Sequence, residues 1–201
     1  MSKNILIAGV GGQGTVLASR LIAAAYMEKG DFVRTAETIG MAQRGGCVVS
    51  HVRASSEDKS SIIPFGKADL LIAFEPSEAL RNLSRLSENG GCIINTQTIV
   101  PVTASLGGAA YDIEKIMSAL KDKSKKLILF DALSAAKKAG SPKAVNVVLL
   151  GAAIGSGYLD ISKEQMEHSL IAILPEKLHA VNLKALELGI SAALEIPGKQ
   201  Q

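Results

Sequence analysis

The sequence predicts an α/β protein, a three-layer α/β/α sandwich around a mostly parallel Rossmann-like sheet, mixed if one strand pairs antiparallel. Three observations favour this fold. Short apolar segments rich in β-branched residues alternate with longer segments whose apolar residues recur at helical spacing. A glycine-rich turn at residues 9–14 joins the first strand to the first helix. The composition, 47% hydrophobic and 20% charged over 201 residues, is typical of a soluble α/β chain.

The glycine turn carries the strongest signal in the first part of the chain. It follows an apolar strand and matches G-x-G-x-x-G at Gly9, Gly11 and Gly14. In this motif one glycine makes the turn, one lets a ligand approach the backbone, and one lets the helix pack on the strand. The N–H groups at the helix N-terminus then face an anion such as phosphate. The same glycines also fit a turn that serves strand–helix packing alone.

The next two strands put a simple βαβ repeat in doubt. The first helix ends at Gly30, and a strand follows at residues 32–37. Its last residue, Glu37, lies about twenty positions after Gly14, where a dinucleotide fold has its ribose-binding acid. A plain strand end is the more common explanation for such a residue. The polar loop 38–46 then leads directly into an extended segment, 47–53, without a crossover helix, so this strand is expected to pair antiparallel.

The remaining elements continue the α/β alternation and then become helical. In order, we predict a strand at 68–74, a helix from Pro76 past Leu86 that stops at 89–91, a strand at 92–95, a helix at 112–120 capped by Asp112, a strand at 127–131, a helix at 134–139, a buried helix at 145–154, a helix at 163–173 opened by a Ser162–Gln165 capping box, and a final helix at 176–194. We expect a single domain, residues 1–196, and a tail, residues 197–201.

Charge and cysteine content exclude several classes of protein. A net charge of +3 and 3% aromatic residues do not suit a nucleic-acid-binding protein. Cys47 and Cys92 are too few for an iron–sulfur cluster or structural zinc, and we expect both thiols to be buried and reduced. A strand that starts by Ile5 leaves no room for a signal peptide, and no apolar segment is long enough for a membrane span. A cytoplasmic protein is expected.

No set of residues in the sequence forms a recognisable catalytic group. His51, on the 47–53 strand, is the histidine with the best claim to a role, although a structural role is more common for such a residue. Three carboxylates, Asp69, Glu75 and Asp131, lie at strand ends, where capping is the usual function. Metal-ligand spacing and nucleophile motifs are absent from the sequence. We therefore predict no catalytic residue and no metal site in this chain.

A second motif, Gln43-Arg44-Gly45-Gly46, lies in the loop before the 47–53 strand. An arginine next to two glycines can present its guanidinium group and open backbone N–H groups to a phosphate or carboxylate. The alternative is a turn whose arginine contacts a partner chain. We expect a ligand site or an interface here. The candidate binding residues are those of the two motifs: Gly9, Gly11, Gly12, Gln13, Gly14, Gln43, Arg44, Gly45 and Gly46.

The two motifs together resemble the gamma-type component of 2-oxoacid:ferredoxin oxidoreductases, and within that family the type that acts on indolepyruvate. The resemblance also covers an extended segment and positions near the C-terminus: Ser50-His51-Val52-Arg53, Leu150-Gly151-Ala152, Asn182 and Gly189. It implies a subunit that is inactive alone. The complex would decarboxylate a 2-oxoacid, reduce ferredoxin and form an acyl-coenzyme A, with thiamine diphosphate and iron–sulfur clusters on a larger partner subunit.

For the glycine turn, the phosphates of coenzyme A are the chemically sensible anion under this resemblance, with Arg44 as a further contact. Three alternatives stay open. The substrate of the complex could be pyruvate, 2-ketoisovalerate or 2-oxoglutarate instead of an aryl 2-oxoacid. The chain could be a stand-alone nucleotide-binding module, either a monomer or a homodimer. For the isolated chain in general, a homodimer is a further expectation. An NAD-dependent dehydrogenase is disfavoured, since a catalytic pair and a substrate domain are both missing from the sequence.

Overall fold

The computed structural model describes residues 2–40, 45–100 and 111–195. Within these residues the sheet has six strands and is mixed. Its strands are β1 (Lys3–Val10), β2 (Phe32–Ile39), β3 (Cys47–Ser55), β4 (Ala68–Ala73), β5 (Leu86–Asn95) and β6 (Lys126–Phe130). Their order across the sheet is β2-β3-β1-β4-β5-β6. Strands β1, β4, β5 and β6 run parallel, and β3 runs antiparallel to both of its neighbours. The antiparallel pairing predicted for the 47–53 strand is confirmed.

Helices cover both faces of this sheet. They are α1 (Thr15–Glu28), α2 (Pro76–Asn82), α3 (Ile113–Lys123), α4 (Ala132–Ala139), α5 (Val145–Gly155), α6 (Lys163–Ile173) and α7 (His179–Glu195). Side chains alternate along β1, so Ile5 and Ile7 enter one apolar core with α1 and α4–α7. Leu6 and Ala8 enter a second core with α2 and α3. The predicted three-layer α/β/α sandwich with a mixed sheet is therefore confirmed.

Helices α5 and α7 cross with their backbones in contact, and glycines make this approach possible. A Cβ atom at Gly151 would overlap the carbonyl oxygen of Leu186, and one at Gly189 would overlap that of Val148. Every α5 residue from Asn146 to Ala153 is buried, as the apolar pattern predicts. This close packing fixes the position of the α5 N-terminus relative to the sheet.

The predicted helix caps are also present. Asp112 accepts a hydrogen bond from the Lys115 backbone N–H at 3.1 Å. Ser162 and Gln165 form the reciprocal capping box that opens α6. Asp131 caps α4 through the backbone N–H of Ser134 at 2.9 Å.

Two predictions about this fold are wrong. The helix after Pro76 ends at Asn82 and a short 3₁₀ turn rather than at residues 89–91, and β5 already begins at Leu86. Gly91 does not stop a helix. It lies inside β5, where a Cβ atom would overlap the ring of Tyr158. Cys47, the first residue of β3, is exposed rather than buried, whereas Cys92 is buried as expected.

Among the described residues, no helix is long and apolar enough to cross a membrane. The tail predicted at 197–201 lies outside the described part of the chain. The domain boundary at residue 196 stays a prediction.

Candidate functional site

The glycine turn lies at the carboxyl edge of the parallel strands, where β1 ends at Val10 and α1 begins at Thr15. This is the edge at which open α/β sheets bind ligands. Gly12 and Gly14 have positive φ values of 94° and 87°, a backbone conformation that favours glycine. Gly9 has a different role, since a Cβ atom there would come within 2.9 Å of Thr15 and 3.1 Å of Phe74. The turn thus combines special backbone angles with close strand–helix packing.

The second motif meets the first in space, as far as the structure describes it. The Gly11 backbone N–H donates to the carbonyl oxygen of Gly46 at 2.9 Å. Gly45 has a φ of 73° and lies next to Val10. Gln43 and Arg44, the other two candidate residues of this motif, lie outside the described residues. The hydrogen bond between Gly11 and Gly46 therefore joins the two glycine segments into one surface.

Gln13 uses its side-chain amide within the protein. Its Oε1 accepts from the backbone N–H of Val10 at 2.7 Å, and its Nε2 donates to the carbonyl oxygen of Phe74 at 3.3 Å. Asn95, at the end of β5, donates to the same carbonyl oxygen at 3.2 Å. These bonds tie the ends of β1, β4 and β5 together beneath the glycine turn.

A cavity of about 530 Å³ opens beside the turn, between α1, α4 and the start of α5. Its volume lies within the range of small-molecule sites, roughly 300–1,000 Å³. The glycine turn supplies Gly12, Gln13 and Gly14, and the opposite wall supplies Lys143 and Asn146. The lining is otherwise largely apolar, with Leu17, Leu133 and Val145 among its members.

The electrostatics of this cavity favour an anion. No described side chain caps the N-terminus of α1, and its first turn contains no acidic residue. Helix α5 also begins at the cavity; its cap residue, Ala144, makes no side-chain hydrogen bond, and its first turn contains no acidic residue. Backbone N–H groups and the positive end of the helix dipole attract negative charge at such termini. Lys143 adds a cationic side chain to the same cavity.

The other sequence candidates do not belong to this cavity. Glu37 is exposed on β2 and accepts from the Ser19 hydroxyl at 3.3 Å. Because β3 lies between β1 and β2, Glu37 is not on the strand next to the glycine turn, as a dinucleotide-binding acid is. His51 is buried, and its Nδ1 accepts from the Ile63 backbone N–H at 3.2 Å. Both residues have structural partners.

The carboxylates at strand ends also serve the fold. Asp69 accepts from the backbone N–H of Asn4 at 2.7 Å. Glu75 caps α2 through the N–H groups of Ser77 and Glu78 at 2.8 and 3.0 Å, and it also accepts from the hydroxyl of Tyr111. Burial, together with the hydrogen bond of the Tyr111 hydroxyl to Glu75, raises the pKa of Tyr111. Among the residues described, no group of three or more His, Cys, Asp or Glu side chains is arranged to hold a metal ion.

Sequence reasoning missed Lys143 and Asn146. Asn146 is the one amide in the apolar segment Val145–Gly155, and a single polar residue in such a segment is a sequence signal for a special role. Lys143 precedes this helix in a 3₁₀ turn, Pro142–Ala144, which has no sequence motif of its own. Only the fold brings both residues opposite the glycine turn.

Comparisons with known proteins agree on one family. A family model described as pyruvate ferredoxin/flavodoxin oxidoreductase matches residues 4–192. The indolepyruvate oxidoreductase subunit IorB of Archaeoglobus fulgidus is 40% identical over 195 residues, which cover 96% of each chain.

Two solved structures share the fold. One is the gamma subunit of a keto/oxoacid ferredoxin oxidoreductase from Geobacter sulfurreducens, with a TM-score of 0.71, 24% identity, and coverage of 96% of this chain and 99% of that one. The other is a 2-oxoglutarate:ferredoxin oxidoreductase from Magnetococcus marinus with 2-oxoglutarate, coenzyme A and succinyl-CoA bound. There the TM-score is 0.70 at 24% identity, and the match covers 96% of this chain but 31% of that one.

Proposed function

The chain belongs to the pyruvate ferredoxin/flavodoxin oxidoreductase family, and we propose that it is the small subunit of an indolepyruvate:ferredoxin oxidoreductase. The family resemblance predicted from the sequence is thereby confirmed. The observation that carries the proposal is the 40% identity to an indolepyruvate oxidoreductase subunit over 96% of both chains. The complex oxidatively decarboxylates an aryl 2-oxoacid to acyl-coenzyme A and carbon dioxide, and it reduces ferredoxin.

This chain acts in the complex as a binding subunit rather than as the redox centre. Its two cysteines cannot supply the four thiolates that an iron–sulfur cluster requires, and Cys92 is buried in an apolar core. We therefore assign the clusters and thiamine diphosphate to a larger partner subunit, which also passes electrons to ferredoxin. A homodimer in isolation and a cytoplasmic location stay predictions.

We assign the phosphates of coenzyme A to the cavity beside the glycine turn. The support is the cavity's size, the two helix N-termini without side-chain caps, and Lys143. The related Magnetococcus enzyme is described with coenzyme A bound, which makes this acyl acceptor relevant to the family. Gly11, Gly12, Gln13 and Gly14 form one side of the proposed site. Arg44, two positions before Gly46 in the sequence, is included for its charge.

Affinity purification of the tagged chain from its native host tests the subunit proposal. Mass spectrometry is expected to find a larger subunit that carries thiamine diphosphate and iron–sulfur clusters. The purified complex is then assayed with indolepyruvate, phenylpyruvate, pyruvate and 2-oxoglutarate and a low-potential dye. The highest kcat/KM is expected for an aryl substrate. A chain that purifies alone and gives no 2-oxoacid oxidation after reconstitution would refute the proposal.

Charge reversal at Arg44 tests the coenzyme A assignment. In the active complex, Arg44→Glu is expected to raise the KM for coenzyme A, because a repulsive charge replaces an attractive one. Lys138→Glu, on an exposed α4 position, is the matched control. An unchanged KM for coenzyme A in Arg44→Glu would count against a role for this loop in binding the phosphates.

A further inference from the structure

Asn146 is a buried polar residue with one hydrogen-bonding group unused. It lies in the first turn of α5 with 3% of its surface exposed. Its Oδ1 accepts from the backbone N–H of Val147 at 2.9 Å. This bond fixes the orientation of the amide, so the other end of the side chain is the NH₂ donor, Nδ2. Within the described part of the chain, Nδ2 has no hydrogen-bond acceptor.

The unused donor faces the glycine turn. Asn146 lines the cavity, and Nδ2 is its atom nearest to Gly14, 3.0 Å from where a Cβ atom on Gly14 would lie. The N-terminal N–H groups of α1 begin at the same point, immediately after Gly14. The residue as a whole is buried, so the cavity is the place from which an acceptor can reach this donor. Here the open side of the donor is the cavity.

We propose that Asn146 is a ligand-binding residue, whose Nδ2 donates a hydrogen bond to a phosphate group held at the N-terminus of α1. Lys143, on the same wall of the cavity, supplies a counter-charge. Phosphate oxygens suit this site because they accept several hydrogen bonds at once and carry the negative charge that two helix N-termini and a lysine favour. The inference rests on the proposed function for its choice of ligand, the diphosphate portion of coenzyme A.

The proposal also gives Gly14 a specific role. Gly14 has a positive φ, which favours glycine. In addition, a side chain at this position would press on Nδ2 of Asn146 and push the donor away from the α1 N-terminus. Gly14 and Asn146 are therefore expected to act as a pair in binding.

Asn146→Asp is the sharpest test, because it changes one group. Aspartate keeps an oxygen that accepts from Val147, but it replaces the NH₂ donor with a negatively charged acceptor. The two helix N-termini offset part of the cost of burying the new charge, and the melting temperature of the variant is measured first to establish that it folds. In the reconstituted complex, the KM for coenzyme A is expected to rise about tenfold or more, as a bond to a charged group is lost and repulsion is added. The KM for indolepyruvate is expected to be unchanged.

Three comparisons make the test specific. Asn89→Asp, an exposed position at the far end of β5, introduces the same charge and is expected to leave the KM for coenzyme A unchanged. Pantetheine, a thiol acceptor without phosphate groups, is expected to give the same kinetics with the Asn146→Asp and the unaltered complex. Calorimetric titration of the isolated full chain with inorganic diphosphate is expected to show binding that Asn146→Asp weakens.

The outcomes separate this inference from the proposed function. If Asn146→Asp changes neither diphosphate binding nor the KM for coenzyme A, the inference is wrong, while indolepyruvate oxidation by the complex still supports the proposed function. If diphosphate binding weakens but the KM for coenzyme A does not change, Asn146 is confirmed as an anion-binding residue and the assignment of coenzyme A to this cavity is wrong.

Discussion

The side chain of Gln13 donates a hydrogen bond to the carbonyl oxygen of Phe74 at 3.3 Å. The bond links the ends of β1 and β4, which are neighbouring parallel strands. The same amide accepts from the backbone N–H of Val10 at 2.7 Å. Gln43, the glutamine of the second motif, lies outside the described residues. Gln13 therefore holds the glycine turn in place, whatever contact it makes with a ligand.

Gln13→Glu tests this role. The variant keeps an oxygen for Val10 but replaces the Nε2 donor with an oxygen that faces the carbonyl of Phe74. The free energy of unfolding, measured with urea at pH 7, is expected to fall by about 1–3 kcal/mol. Gln97→Glu is the control, because Gln97 also lines the cavity but is exposed. Equal stability of the two variants would contradict a structural role for Gln13.

Gly12 and Gly14 form a matched pair for testing the contact with Asn146. Both have positive φ, so an alanine at either position is expected to cost about 1–2 kcal/mol of backbone strain. A Cβ atom at Gly12 meets nothing within 4 Å, whereas one at Gly14 comes 3.0 Å from Asn146. Gly14→Ala is therefore expected to destabilise the protein by about 1 kcal/mol more than Gly12→Ala in urea unfolding. Equal losses would mean that Asn146 adjusts without cost.

Local chemistry made much of this fold predictable. The glycine turn, the caps at Asp112 and Ser162, and the antiparallel β3 each depend on neighbouring residues or on loop length. The wrong prediction at residues 83–91 has a tertiary cause. The leucine spacing there fits a helix, but pairing of β5 with β4 and packing of Tyr158 over Gly91 impose a strand.

One wall of the candidate site could be predicted from the sequence, and the opposite wall could not. The sequence motifs identify the glycine turn, because the glycines proposed to bind the ligand also set the backbone angles of the turn. Asn146 and Lys143 come from more than 120 positions later in the chain and reach the cavity through the crossing of α5 with α7. Such long-range proximity leaves no local pattern in a single sequence.

His51 predicts a pH dependence of stability. Burial, with repulsion from Arg85 and Arg53, lowers the pKa of His51 to about 4 from an ordinary value of 6.5. As the pH falls below 6.5, the unfolded chain binds a proton at His51 while the folded protein does not. Stability therefore decreases between pH 6.5 and about 4, by at most about 1.4 kcal/mol per pH unit from this residue.

Urea unfolding of the unaltered protein and His51→Gln, each at pH 7 and pH 5, measures this contribution. The variant is less stable at pH 7 because it loses the packing of the imidazole, but its stability is expected to fall less on acidification. The same pH dependence in both proteins would show that His51 binds a proton equally well in the folded and the unfolded protein.

Glu78 has the opposite dependence. Its side chain is 7% exposed, and Oε2 has no hydrogen-bond partner among the described residues. Burial raises the pKa of Glu78. The charge of Arg81 lowers this pKa in part, and the charge of Glu75 raises it further. A raised pKa in the folded state favours folding at low pH, and this stability is lost as the pH rises through that pKa.

Glu78→Gln is therefore expected to raise the free energy of unfolding at pH 7 by about 1 kcal/mol, since it removes a buried charge. The gain is expected to shrink at pH 4, where the carboxyl group is protonated. Glu114→Gln, in the first turn of α3 but exposed, is the control and is expected to lose a few tenths of a kcal/mol. A loss of stability in Glu78→Gln at pH 7 would mean that the ion pair with Arg81 outweighs burial.

The most direct test of the subunit assignment is the rate of indolepyruvate-dependent, coenzyme A-dependent reduction of a low-potential dye by the larger partner subunit, measured with and without this chain. We expect little or no activity from either chain alone and saturable activity when they are combined. Full activity of the larger subunit without this chain, or no activity from the combination, would contradict the assignment.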